Sequence, residues 1–511
     1  MKKRFLSVFL AILMVGTAVP GFAEHVSFTT SSYSSITEGS DAYNDAVYQY
    51  LQEKFDFDME LYQLTWDSGA EKNRMWIASG TMPDFTFWAD FNYSEYLSYI
   101  DQGLIKALPD GWETKYPNLA AAVEATGIAD MIKVDGKTYC LPKVTHYVFS
   151  PLEVSIAPRT TYYRKDWAEQ LGINIGATCT VDQLLEYVRA VMKMDPVGNG
   201  ETIGITSSSA NFIHDLMNLN NPYYNAFKKE DGQYVWGPTI EGTADALVQL
   251  QDIYEEGLLD RDFYLYSDSD AMNVFASGRA AVFSYVSQVD AVRATIERFE
   301  EASDTPIDGW DYVGTTLLVN DDGKWTGTSG ANFWASSLFN PGISDATLDT
   351  ILSLMDYLCT VEGQELISLG IPEKDWTVDE NGEYVILREP REDGSYESIL
   401  NIYPSTNFFY TLIVLVDSFA FVNPTIDVRT RNASISAYEN AFAGNVYAYN
   451  PEIDFYTSDV KEQYSVNIDA TMVQIVMDPA SDAQAAWDVM IDENRAMWEP
   501  LLNEYNEIFS E

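Results

Sequence analysis

This sequence predicts an α/β fold built as two lobes, on three observations. Strand-like and helix-like patterns alternate from residue 26 onward, the signature of parallel βαβ units. The chain has 511 residues, too many for one ordinary hydrophobic core. Two turn-rich stretches, 146–159 and 320–332, bracket its middle, where a chain crossing between lobes would pass. The expected division is a leader over 1–23, an N-terminal lobe from 24–150 with about 331–400, and a C-terminal lobe from 151–330 with about 401–511.

The leader comes first. Lys2, Lys3 and Arg4 precede an almost unbroken apolar run over 5–19, which Pro20 ends. Gly21 and Ala23 then place small residues at the −3 and −1 positions of a cleavage site before Glu24, so the chain reads as exported. The apolar run falls short of the roughly 20 residues that span a bilayer. The best later stretch, 408–422, is interrupted by Asp417.

Residues 26–30 read as a first strand, followed by a Ser, Thr and Gly-rich loop over 29–40. A helix over 41–55 has Asp41 as its cap and Ala46, Val47, Tyr50, Leu51 and Phe55 at helical spacing. A second strand over 59–66, a helix end over 73–79 closed by Gly80, and a third strand over 84–88 complete the pattern. In such sheets ligands sit in the loops beyond the carboxyl ends of the strands. The middle of the chain alternates in the same way, with strands over 160–163, 203–206 and 280–286 and helices over 165–171, 180–194 and 243–256. Residues 348–358 and 483–507 read as helices, the last a C-terminal brace.

Composition narrows the function. Asp and Glu number 78 against 30 Lys and Arg, three of which leave with the leader, so the mature chain carries about −51. Such a field opposes phosphate backbones and anionic lipid, and nucleic acid is excluded as a partner. Cys140, Cys179 and Cys359 lie far apart with no C-x-x-C pair, which excludes a disulfide scaffold and leaves room for one bridge or three free thiols. His25, His146 and His214 have no metal-ligand spacing.

Seven short blocks, in order, carry a resemblance. They are Ala78-Ser79-Gly80-Thr81-Met82-Pro83-Asp84, and Gly103-Leu104-Ile105-Lys106-Ala107-Leu108 with Tyr116-Pro117-Asn118. Next come Asp135-Gly136-Lys137-Thr138-Tyr139-Cys140-Leu141-Pro142, and Tyr163-Arg164-Lys165-Asp166-Trp167 with Leu171-Gly172. The last are Tyr254-Glu255-Glu256-Gly257-Leu258-Leu259, Phe275-Ala276-Ser277-Gly278-Arg279-Ala280-Ala281, and Asp356-Tyr357-Leu358 with Glu362-Gly363. In these the chain resembles the extracellular solute-binding proteins of carbohydrate ABC importers, in their long LplA-like lipoprotein branch. The resemblance implies a two-lobed type II periplasmic-binding-protein fold, with a cleft and hinge between the lobes, that closes on a sugar or oligosaccharide and is read by a membrane permease. It implies a monomer with no chemistry on the ligand, held in the periplasm or at the cell surface.

Two departures stand out. No cysteine lies between Val15 and Glu24, so the lipid-attachment residue of the branch is missing at that site. Asp195-Pro196-Val197-Gly198-Asn199-Gly200-Glu201 resembles the calcium loop of relatives that bind acidic oligosaccharides, with an apolar third position and a shortened end. Asp195, Asn199 and Glu201 are its candidate calcium ligands, although calcium wants six or more oxygens; the other reading is a turn that ends the preceding helix. No other cofactor is expected.

Aromatic residues make up 14% of the chain. Sugars pack their C–H faces on such rings, while their hydroxyls need carboxylate, amide or guanidinium partners. Position selects Trp66 and Trp88 at strand ends, Trp334 at the second crossing and Trp310 shortly before it. Tyr285 and Gln288 follow the strand after the Gly278-Arg279-Ala280-Ala281 turn, which borders the cleft in related sugar binders. Tyr33, Asp67, Asp90, Arg159 and Asn211 are the polar candidates, and Trp167, inside its helix start, reads as packing. The chain's charge favours a neutral or cationic sugar over a uronate unless a local Arg intervenes. The competing reading is a secreted carbohydrate-active hydrolase, whose carboxylate pair 78 acids would always supply on paper. No G-x-S-x-G, H-E-x-x-H or P-loop is present.

Overall fold

The computed structural model describes residues 25–33, 42–65, 68–89, 91–150, 152, 155–208, 211–391, 395–410, 412, 417–478 and 480–509. The leader over 1–23 and the expected cap Asp41 lie outside these residues.

Among the described residues, thirteen strands position the site. Four come before the first crossing: β1 (Val26–Ser32), β2 (Phe57–Gln63), β3 (Phe85–Trp88) and β4 (Cys140–Val144). The short β5 (Ser155–Ile156) is the crossing itself. Five more follow, β6 (Arg159–Arg164), β7 (Thr178–Thr180), β8 (Ile203–Thr206), β9 (Ala280–Val286) and β10 (Val313–Val319). The chain returns through β11 (Thr326–Gly330) into β12 (Phe333–Phe339), and β13 (Asn445–Tyr447) comes late.

The first sheet has the order β2-β1-β3-β12-β4, with β1 parallel to β2 and β3, and β12 antiparallel to its two neighbours. Every residue of β3 is buried, as expected where helices cover both faces of a sheet. The second sheet has the order β8-β9-β6-β10-β7, with β6 antiparallel to both neighbours. Each sheet has its own core. Phe28, Phe57, Phe85, Trp88, Leu141 and Leu338 lie in the first, and Tyr187, Phe212, Leu250, Trp236, Trp487 and Trp498 in the second.

The first helix starts at Ala46 rather than at 41. Asp45 supplies the cap, its carboxylate accepting from the Tyr48 N–H at 2.9 Å and satisfying a donor that the first turn cannot pair internally. The same carboxylate accepts from the backbone N–H and hydroxyl of Ser405, both at 2.8 Å. Through that tie Tyr403, Phe408, Phe409, Leu412 and Phe419 pack into the first core, so the first lobe's return segment runs to about 419 rather than 400. The C-terminal brace is two helices, Ala483–Glu493 and Arg495–Phe509, not one. The turn at Asn494 redirects the chain and lays Trp498 flat on Trp236, with centroids 4.9 Å apart at 13°.

A third strand braces the crossing. β11 pairs with β5 on one side and with β13 on the other, and β13 lies between two second-lobe segments, the helix Val428–Phe442 and residues 449–461. Cys140, Cys179 and Cys359 are free and buried; burial pushes the first thiol up to about 12 and the second to about 11.

Candidate ligand-binding cleft

Beyond the end of β3, the Asn92 side chain caps the helix Tyr93–Asp101 by accepting from the Glu95 N–H. Phe91 stands just before that cap, and its ring lies 5.3 Å from Trp88, 5.8 Å from Tyr96 and 5.6 Å from Phe333. Phe333 and Trp334 open β12 directly after the crossing strand. Trp334 is 38% exposed and its ring rests 5.4 Å from Phe87. Beneath Phe87 is Lys143, whose ammonium sits 4.5 Å from the ring centroid. It donates to Ser337 Oγ at 3.1 Å and to the Leu412 carbonyl at 2.5 Å. Burial pushes that ammonium down to about 7.

The opposing wall comes from residues 449–461. Ile453 and Tyr456 pack on the second core, and Glu452 accepts from the Tyr234 hydroxyl and from Lys229. Between these anchors Phe455 reaches the other way, its ring 5.7 Å from Phe91 and 5.3 Å from Tyr93. The two walls enclose a cavity of about 440 Å³, with Tyr449, Asp454 and Lys461 on the second-lobe side. Several rings interleaved with amide, hydroxyl and carboxylate groups between the lobes is the chemistry of a small-solute site. Asp454 faces the cavity and binds the Tyr449 hydroxyl; surrounding protein pushes its carboxyl upward.

A polar cluster lies at the crossing end of the second sheet. Arg159 begins β6 three residues after β5, and its Nε donates to Asn211 Oδ1 at 3.0 Å. Asn211 Nδ2 donates in turn to Asp268 at 2.8 Å, and the Ser208 hydroxyl donates to the same carboxylate at 2.5 Å. The helix Asn211–Asn220 that carries this cluster packs beside β11. Below it Asp215 accepts from Ser284, and full burial pushes its carboxyl up to about 7. Tyr285 stands at the same end, its phenol raised by burial and then by Asp268.

The expected site residues therefore separate. Trp334 lines the cavity, and Arg159, Asn211 and Tyr285 come together, with Gln288 at the start of the helix Val289–Glu301 just beyond. Tyr33 is half-buried with its ring edge 5.3 Å from Phe87, and a Cβ on Gly69 would fall 2.4 Å from its hydroxyl, so that glycine leaves room for the ring. Trp66, Asp67 and Asp90 lie outside the described residues. Trp88 is a core residue, 1% exposed; the strand's last side chain points inward, and Ala89 and Phe91 beyond it line the cavity. Trp310 is corrected too. It precedes Val313, which pairs with Arg164, whereas Val286 pairs with Arg159 at the other end of β6, about 17 Å away at strand rise. Its ring packs against a helix cluster and its carbonyl accepts from Lys165 at 2.9 Å. Trp167 is packing as expected, under the Arg164 guanidinium at 4.1 Å.

Sequence reasoning missed Phe91, Tyr93, Phe333, Tyr449, Asp454, Phe455 and Lys461. The first three follow the same strand-end logic as Trp88 and Trp334, displaced by one to five residues. The last four belong to a segment with no motif.

Asp195, Asn199 and Glu201 form a tight turn. Asp195 closes the helix Val181–Met194, and its carboxylate accepts from the N–H groups of Gly198 at 3.3 Å and Gly200 at 2.8 Å and from the Thr202 hydroxyl at 2.7 Å. Both oxygens are thus engaged by the loop itself. Among the described residues no group of three or more His, Cys, Asp or Glu side chains is arranged to hold a metal ion.

Comparison with known proteins agrees with this architecture. The family model for bacterial extracellular solute-binding proteins matches residues 33–325. Lipoprotein LipO of Bacillus subtilis is 24% identical over 360 residues, which cover 66% of this chain and 65% of LipO. The fructooligosaccharide ABC transporter substrate-binding protein FusA of Streptococcus pneumoniae is 22% identical over 205 residues, 38% of each chain. The chain thus matches just under two thirds of one curated relative and well under half of the other. FusA bound to kestose superposes over 94% of this chain and 98% of its own, with a TM-score of 0.69 at 14% identity. The alginate-binding protein AlgQ2 without calcium covers 95% and 98%, with a TM-score of 0.64 at 14% identity. At such identities the superpositions establish the fold, two α/β lobes.

Proposed function

Because the chain belongs to the bacterial extracellular solute-binding proteins, and so binds a solute rather than transforming it, we propose that its solute is a sugar or short oligosaccharide. The proposal extends to delivery: the closed, loaded form is handed to the permease of an ABC importer, and the chain acts as a monomer. The observation that supports this most directly is the cavity of about 440 Å³ between the lobes, where the rings of Phe91, Phe333, Trp334 and Phe455 stand beside the polar groups of Asn92, Tyr93, Ser94, Tyr449, Asp454 and Lys461. Rings of this kind present flat apolar faces to the C–H side of a pyranose, and polar groups among them pair with its hydroxyls. FusA is named for fructooligosaccharides and was solved with kestose, which supports the same class of solute.

Calorimetry of the mature chain against a panel of oligosaccharides tests this reading. One saturable ligand with no product formed is expected, and turnover of any member would overturn it. Trp334→Ala is expected to weaken that ligand by about tenfold, because a half-open ring contributes its stacking area but little to the core. Its melting temperature should stay close to the parent's. An unchanged affinity would remove Trp334 from the site.

Calcium is not expected to stabilise the protein, since both Asp195 oxygens are engaged by loop donors. After chelation, added calcium should move the melting temperature by no more than about 1 °C, whereas a specific site would raise it by several degrees.

A further inference from the structure

Among the described residues lining the cavity, two carry charge, Asp454 and Lys461, and their hydrogen-bonding states differ sharply. The Lys461 ammonium has three donors, and three carbonyls accept from it: Ile453 at 2.5 Å, Tyr456 at 2.8 Å and Asp454 at 3.4 Å. It closes the end of the turn Pro451–Asp454 and has no donor left for a solute. Among the described residues the Asp454 carboxylate has one side-chain donor, the Tyr449 hydroxyl, for about four acceptor positions, and it lines the cavity beside Phe455.

Arg159 lies outside the cavity's lining, in the polar cluster at the end of the second sheet, where it gives Nε to Asn211, which is itself bound to Asp268, and the buried Asp215 lies within electrostatic reach. Lys143 is enclosed beneath Phe87. Among the described residues the cavity's lining therefore offers an open carboxylate and no uncommitted cation, inside a chain of net charge −48 with its leader.

Resting on the sugar reading above, we propose that the solute is an uncharged saccharide and that Asp454 is the residue that recognises its hydroxyls and rejects uronates. A pair of sugar hydroxyls donates to the open carboxylate oxygens while the ring packs on Trp334 and Phe91. A uronate at the same place sets one carboxylate against another, with no uncommitted cation among the described lining residues to offset it.

The test titrates the mature chain with kestose, maltotriose, cellotriose and mannotriose, and in parallel with trigalacturonate and triguluronate. The best neutral trisaccharide is expected to bind about 100-fold more tightly than either uronate. Asp454→Asn should cut that ratio by about tenfold, from both sides, while Asp454→Glu restores it, which a merely structural role for the residue would not produce. A uronate that binds as tightly as the best neutral sugar overturns this proposal and leaves the sugar reading intact. So does an Asp454→Asn variant that folds and keeps the parental ratio. Failure of every saccharide to bind sinks the sugar reading and this proposal with it.

Discussion

Replacing Trp88 by alanine is expected to cost the first lobe about 3–5 kcal/mol, the range for deleting a fully buried aromatic side chain. The indole is 1% exposed and packs against Phe91 at 5.3 Å and Tyr99 at 6.0 Å. In a lobe of this size such a loss lowers the melting temperature by about 10 °C, and calorimetry should show the first lobe's transition separating from the second's. Affinity measured well below that transition should fall less than for Trp334→Ala, since the indole supports Phe91 without facing the cavity. The opposite ranking, a stable variant that has lost its ligand, would return Trp88 to the cleft wall.

Lys143→Met is expected to change how stability depends on pH. Burial holds the folded ammonium at about 7, against about 10.4 for an exposed lysine. Below about pH 7 both folded and unfolded chains carry the charge, and the whole cost of enclosing it weighs on the fold. From about 7 to 10.4 the unfolded chain keeps a proton that the folded chain has released, so this residue's contribution to stability rises with pH. Across that window the parent should gain about 4 kcal/mol relative to the methionine variant. Comparing the two proteins at each pH cancels every other titrating group. Denaturant melts at pH 7 and pH 10 check it; a constant difference would mean that the ammonium stays charged in the folded state throughout.

The two tryptophans show what local pattern can and cannot reveal. Trp88 and Trp334 both sit at ends of first-sheet strands, and composition treats them alike. Which one faces the cavity depends on the pleat and on pairing: Trp88 lies opposite Ser336, the fourth residue of β12, whereas Trp334 falls at a register irregularity at the start of that strand. Register with a distant partner is not written in a short window. Strand and helix existence was legible, because periodicity is local; the alternation through residue 88 and the strands over 203–206 and 280–286 are present with small changes at their ends. The tie of Asp45 to Ser405 across 360 residues was not, nor was the wall over 449–461, which is defined by what it packs between rather than by any motif. The Arg159, Asn211 and Tyr285 grouping was partly legible, since strand ends near a crossing are a topological expectation. Trp310 failed for the complementary reason, as nearness in sequence to the crossing ignored the length of the strand between.

Two strands that cross between the lobes, β5 and β11, are hydrogen-bonded edge to edge, and β13, which has the second lobe on both sides of it, braces β11. A single strap lets two bodies twist and swing about any axis through it. A second strap bonded alongside, stiffened by a bracing strand, ties rotation within the ribbon's plane to stretching its outer members, which hydrogen bonds and fixed bond lengths oppose. What remains soft is bending across the ribbon, like a door on a long hinge rather than a ball in a socket. Phe455, fixed to one leaf, then travels along a single arc, and the place where its ring meets Phe91 and Tyr93 is set by that arc. Under the closure proposed above, such a hinge would deliver the same outline whichever solute triggers it, which suits a permease that reads the outline and not the cargo.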